Sequence, residues 1–232
     1  MGRLRQQKRG KGSPKYIAPS HRYRGITKYP RKCEYAEVLE LINCRGHQSP
    51  LMFLKDSNGE ESFLVAPLGI KEGQRIYFGE KASAELGNIL PLSKVPSGKA
   101  ISNLELRPGD GGKLVKTSGA FAQIIERSGS KVTIRLPSKR TIVLDDRCRA
   151  TVGKVSGGGR KDKPYLRAGS KGKAMDARGK MFPRTHGVAM NPPDHPHGKT
   201  HRRHKGGPTT VKSTAPPGQK VGKLSKKKKK KK

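Results

Sequence analysis

The chain has no tryptophan, and only 31% of its 232 residues are hydrophobic, with a mean hydropathy of −0.80. One large core is therefore excluded, and small cores joined by polar segments are what this composition can support. No apolar run approaches the roughly 20 residues that a membrane-spanning helix requires. The opening MGRLRQQ has a basic flank with no apolar stretch behind it, so a secretory leader is not expected, and Gln6 breaks the myristoylation pattern. Neither end carries the Leu/Phe/Trp stripe that an interfacial helix buries, which argues against a membrane partner. Cysteine is scarce and odd in number: Cys33, Cys44 and Cys148 stand far apart with no C-x-x-C. That usage predicts reduced thiols in a cytoplasmic protein and no disulfide framework. A zinc site drawn from Cys33, Cys44 and the histidines between His195 and His204 stays open as ligand chemistry, although its spacing matches no standard pattern.

Negative charge is the other scarcity. Seventeen Asp and Glu face 52 Lys and Arg, a formal net charge of +35. An excess of that size on a short chain calls for a polyanionic partner. Its distribution is uneven: residues 1–32 carry 11 basic and no acidic side chains, 33–160 carry 19 and 14, and 161–232 carry 22 and 3. The middle has an ordinary globular composition, whereas the ends need counter-charge to order. Nucleic acid is the anion that fits.

What is present divides the chain into four segments. In residues 1–32 cations alternate with Gly, Pro and Tyr. Tyr16, Tyr23 and Tyr29 are placed to stack on bases or riboses while Arg22 and Arg24 meet phosphates. From residue 33 to 86, short runs bounded by turn residues predict a small all-β domain: YAEVLELIN (35–43), LMFL (51–54), SFLVA (62–66) and RIYF (75–78), with Asn58-Gly59 as a hairpin signal. Four or five strands in about 50 residues match an oligonucleotide-binding-type barrel. EKASAEL (80–86) reads as one helical turn. Residues 87–160 predict a second barrel, SH3-like, from AISNLEL (100–106), KLVKT (113–117), AFAQII (120–125), KVTIRL (131–136), TIVL (141–144) and ATVGKV (150–155). There Val132, Ile134 and Leu136 share one face, and Lys131, Thr133 and Arg135 the other, so the outer face is basic. The loop from Arg107 to Gly112 offers backbone amides to phosphate oxygens, with a plain hairpin connection as the alternative. Residues 161–232 hold nine Gly and eight Pro without apolar periodicity, which predicts an irregular basic extension and no folded domain, ending in seven lysines.

Inside that extension, GVAMNPPDHPHGKTHRRH (187–204) collects four of the seven histidines. Its prolines fix φ and disfavour the α region before them, predicting an extended, stiff finger. Asn191, Asp194, His195, His197, His201, Arg202, Arg203 and His204 are its candidate RNA contacts.

VAPLGI (65–70), GNILPLSKVPSGKAISNLELRPGDGGKLVKTSGAFAQII (87–125), CRATVG (148–153) and GVAMNPPDHPHG (187–198), in this order and spacing, resemble the large-subunit ribosomal protein two family. APPGQKVG (215–222) is similar to archaeal and eukaryotic members more than to bacterial ones. The resemblance implies an all-β fold, an oligonucleotide-binding-type barrel followed by an SH3-like barrel, with basic extensions threading into ribosomal RNA near the peptidyl transferase centre. It implies large-subunit ribosomal RNA, neighbouring ribosomal proteins and the small subunit across the interface as partners, with neither a membrane nor a small-molecule substrate. No cofactor is expected beyond Mg2+ carried by the RNA. The family's RNA-binding arginine falls at Arg45. Its counterpart in the second barrel is Lys116, where bacterial members carry Arg; Lys keeps the charge and loses the bidentate fork. The family histidine linked to subunit association and peptide-bond formation matches His195. Here Pro193 stands in the usual Pro-Val-Asp, and Lys199-Thr200 replace glycines.

Two other readings compete. As an enzyme, His195 would be a general base oriented by Asp194, but no nucleophile or second carboxylate completes a site. A free RNA chaperone would need only the basic ends and leaves the two patterned barrels without a purpose.

Overall fold

The computed structural model describes residues 16–30, 33–160, 162–195, 198 and 214. The first sheet is antiparallel and built from β1 (Tyr35–Ile42), β2 (Leu51–Asp56), β3 (Glu61–Val65) and β4 (Arg75–Tyr77), in the order β3-β2-β1-β4. Alternation decides its faces. Ala36 and Val38 of β1 are buried with Met52, Leu54, Leu64 and Ile76, whereas Tyr35 and Glu37 point to solvent. A bulge between Val38 and Glu40 ends that alternation. The β2–β3 hairpin closes where the sequence signals it: Asp56 Oδ1 accepts from the amides of Asn58 (2.9 Å) and Glu60 (2.8 Å).

The second sheet contains β5 (Ile89–Pro91), β6 (Ala100–Ser102), β7 (Ala122–Ser128), β8 (Lys131–Arg135), β9 (Thr141–Asp145) and β10 (Arg149–Val152), in the order β5-β10-β6-β7-β8-β9. Gly129-Ser130 links β7 to β8 as a two-residue turn, with Gly129 at φ +55°. Val132 and Ile134 are buried and Lys131 and Arg135 exposed, as the period-two pattern requires.

Three local expectations change. Residues 113–117 form no strand. Leu114 makes a single bridge to Leu104, because Val115 turns at φ +54° and interrupts the extended run. Residues 80–86 form turns in place of a helical turn. Asn88 draws this segment in, donating to the Ser83 carbonyl (3.0 Å) while accepting from the Tyr77 amide (3.0 Å). Strand β5, short and ended by Pro91, has no period for a sequence pattern to reveal.

Residues 19–166 form one compact unit, so the N-terminal extension expected over 1–32 is not free throughout. Thr27 bridges Phe63 of β3, and Tyr29 is 4% exposed. The Tyr29 hydroxyl donates to the Asn103 carbonyl (2.5 Å) and lies 2.8 Å from Thr151 Oγ1, while the Arg149 guanidinium covers the ring at 5.2 Å. Burial pushes its phenol well above the ordinary tyrosine range. Tyr29 is thus a core residue and not a stacking platform for RNA; an aromatic amid cations gave no sign that its ring would be buried. Tyr29→Phe keeps the packing and orphans the Asn103 carbonyl. It is expected to lower the unfolding free energy by about 1–3 kcal/mol, seen as a lower denaturant midpoint at unchanged slope.

The second unit comprises residues 1–18 and 167–232. It contains helix α1 (Ala168–Asp176) in a segment expected to be irregular. Gly169 and Gly172 oppose helix formation by about 1 kcal/mol each relative to Ala, and α1 buries none of its residues. Contacts within the unit support it instead: Gly172 faces Phe182, and Lys171 Nζ lies 5.2 Å from the centre of that ring.

Candidate nucleic-acid interface

The Arg107–Gly112 loop hangs on a buried acid. Glu105, fully buried, accepts at Oε1 from the Gly111 amide (2.9 Å) and from Arg149 Nε (3.2 Å) and Nη2 (2.9 Å). Its Oε2 accepts from the amides of Gly109 (3.3 Å) and Arg149 (2.9 Å). Arg149 Nη1 reaches the Pro30 carbonyl at 3.0 Å. Burial opposes ionisation of Glu105, but the hydrogen bonds from Arg149 and Gly111 outweigh it, and its carboxyl sits below the ordinary glutamate value. The glycine amides expected to meet phosphate are therefore directed inward at Glu105. What the loop presents to solvent is the exposed side chain of Arg107.

Lys116 is also turned inward. Its Nζ donates to Thr27 Oγ1 (2.5 Å), the Thr27 carbonyl (3.1 Å) and the Gly112 carbonyl (3.3 Å), which matches the three donors of an ammonium. Burial pulls its pKa down, against a smaller opposing pull from Asp110. In this structure Lys116 clasps the N-terminal segment onto the second barrel. Beside it, half-buried His47 meets Tyr23 edge-on at 5.6 Å, and its Nδ1 lies 3.1 Å from Cys44 Sγ. Burial first, then the nearby Lys116 charge, keeps the His47 pKa low. Tyr23, His47, Lys28, Lys113 and Lys116 line an open recess of about 340 Å3.

Arg45, Arg22, Arg24, Arg107 and Arg135 are all exposed and belong to the same compact unit. Tyr23 is half-buried against Gly46. The barrels differ in sign. Residues 33–86 hold five basic and nine acidic side chains, net −4, and residues 87–160 hold 14 and five, net +9. Cation density therefore lies on the second barrel, not evenly over both.

In the other unit Tyr16 is half-buried, and the described part of the histidine segment, residues 187–195, turns back on itself where an extended finger was expected. Residues Gly187–Ala189 make a 3-10 turn. Pro192 and Pro193 have no N–H, so the Asn191 carbonyl accepts instead from the amides of Asp194 (3.0 Å) and His195 (3.2 Å), reversing the chain. The His195 carbonyl accepts from the Gly198 amide at 2.9 Å. A Cβ at Gly187 would overlap the His195 ring, and one at Gly198 would overlap the Asn191 carbonyl, so both glycines are required by the turn. Asn191 is exposed, and Asp194 and His195 are half-buried. His197, His201, Arg202, Arg203 and His204 lie outside the described residues. Among the described residues no three Cys, His, Asp or Glu side chains converge as metal ligands.

Residues 85–218 match the family model described as Ribosomal Proteins L2, C-terminal domain. The large ribosomal subunit protein uL2 of Methanothermobacter thermautotrophicus is 45% identical over 231 residues, 96% of this chain and 95% of that protein. The uL2 of Methanocaldococcus jannaschii is 43% identical over 231 residues, 96% of each chain. That of Methanococcoides burtonii is 42% identical over 227 residues, again 96% of each. The chain belongs to the ribosomal protein L2 family. The sequence reading of an all-β L2 fold holds, and the Glu105–Arg149 pair and His47 are the features it missed. In this L2 chain the clue to Glu105 was an acid set between two leucines, Leu104 and Leu106, in ISNLEL.

Proposed function

We propose that this L2 chain binds large-subunit ribosomal RNA through the exposed cations of its second barrel and through its two basic ends. It is a structural constituent of the large ribosomal subunit in the cytoplasm and not an enzyme. The observation that carries the RNA surface is the division of charge: the +9 barrel presents Arg107 and Arg135 to solvent, with Arg45 close in chemistry on the neighbouring barrel. Phosphate contacts from such side chains set position, while the barrels recognise the shape of the RNA.

The turn around Asn191 serves the same end. Its Gly187 leaves room for the His195 ring, and in this reading the imidazole stacks on or hydrogen-bonds RNA near the peptidyl transferase centre and the subunit interface. Lys116 acts differently from its position in the family pattern. It secures the arm that carries Arg22, Tyr23 and Arg24 instead of reaching for a phosphate directly. Any Mg2+ belongs to the RNA backbone.

Arg107→Ala and Arg135→Ala test this surface. Each lost phosphate contact is expected to reduce the slope of log affinity against log salt by about 0.7–0.9. The measurement is binding of the full chain to a large-subunit ribosomal RNA fragment across a salt series. Unchanged slopes for both variants would move the RNA surface elsewhere.

A further inference from the structure

The first barrel is anionic in a strongly cationic chain. Eight of its nine acids are exposed glutamates, and none of them pairs with a lysine or arginine among the described residues. Like charge would hold RNA phosphates away from that surface. The same barrel leaves a strand edge open. Pairing between β1 and β4 ends at Glu37 with Arg75, and the last backbone bonds on that side join Val38 to Gln74 (3.0 Å) and Gly73 (2.7 Å). Beyond the bulge, β1 continues to Ile42 with β2 on one side only, among the described residues. The Leu41 amide, facing the open side, donates to the Glu72 side chain at 2.9 Å. A carboxylate thus occupies the position that a carbonyl of an adjoining strand would take. Leu39 and Leu41 flank it, 42% and 36% exposed, with exposed Glu40 between them.

We infer that the open side of β1 at residues 39–42 receives an extended, lysine- and arginine-rich segment of a neighbouring protein in the large subunit. The segment adds as a strand, its backbone carbonyl replacing Glu72 at the Leu41 amide. Its apolar positions cover Leu39 and Leu41, and its cations meet Glu40 and the released Glu72. An open edge with exposed leucines is an aggregation hazard when left bare, and the surrounding carboxylates select against everything except a cationic strand. The chain's own basic ends are committed to RNA in the reading above, so the occupant is another protein. The inference rests on the chain's place in the large subunit.

The test introduces the photoreactive residue p-benzoylphenylalanine at Leu39 of the full chain, in large subunits assembled in cells and then purified. Irradiation is expected to yield an adduct whose mapped peptide is an Lys/Arg-rich segment of a different ribosomal protein. Adding Glu40→Lys and Glu72→Lys should reduce that adduct about tenfold or more, since like charges at an interface cost at least about 1.4 kcal/mol. An adduct to ribosomal RNA, an adduct to the chain's own basic ends, or no adduct would each overturn the inference. The same photoreactive residue at Arg135 reports on the RNA surface separately. RNA adducts from that position together with failure at Leu39 would leave the proposed function standing and remove only the docked strand.

Discussion

Glu105→Ala is expected to lower the unfolding free energy by about 3–5 kcal/mol, the usual cost of removing one member of a buried ion pair. Five hydrogen-bond donors converge on this carboxylate, three of them from Arg149. Without it the Arg149 guanidinium stays largely buried beside Tyr29 with no counter-charge, and the Gly109 and Gly111 amides lose their acceptor. The loss should show as a lower midpoint in denaturant titration of the full chain. Glu105→Ala combined with Arg149→Met should recover much of it, because the orphaned charge, more than the lost pair, is what destabilises. The pH dependence has a definite sign. A carboxyl held below its ordinary value contributes its full stabilisation above the usual glutamate pKa and loses it as pH falls through the lowered one. Glu105→Gln should flatten that part of the acid limb. An unaltered acid limb in this variant would show that Glu105 is not the group responsible.

A fragment of residues 19–166 is expected to fold alone and to bind RNA with a much shallower salt dependence than the whole chain. Removing 1–18 and 167–232 takes away 26 of the 52 basic side chains and only two acids. With roughly 6–10 phosphate contacts, the full chain should lose about 10³–10⁵ in affinity between 50 and 200 mM salt. Equal slopes for fragment and full chain would show that the ends contribute no phosphate contacts. The fragment's first residue matters. Beginning at 33 discards Thr27 and Tyr29, and emptying the Tyr29 site alone should cost about 3–5 kcal/mol, so the shorter version should melt earlier or fail to fold.

The barrels were legible because period-two alternation is a local property: Val132 and Ile134 against Lys131 and Arg135 need nothing beyond five consecutive residues. The hairpins at Asn58-Gly59 and Gly129-Ser130 were legible for the same reason. Residues whose partners are distant in sequence were not. Tyr29 reads as one more aromatic among cations, yet its hydroxyl partners are at Asn103 and Thr151. Lys116 reads as a free cation and is held by Thr27, 89 residues away. The glycines at 109 and 111 look open to phosphate until Glu105 claims their amides. Helix α1 was hidden by two glycines in nine residues, since its support comes from Phe182 and not from propensity. The compact turn at Asn191 was misread as extended because proline restricts φ without revealing which later amide will bond back.

The contact of Tyr29 with Thr151 spans 122 residues, and that separation has a meaning in time. A chain elongating at about 5–20 residues per second needs roughly 6–25 s to extend from one to the other. The first barrel has all its strands well before then, while the N-terminal arm still has no Asn103, Arg149 or Thr151 to seat against. Docking of the arm therefore waits until the second barrel is made, long after the first barrel has its strands. During that interval a newly made L2 displays a loose cationic arm within reach of the RNA that is translating it.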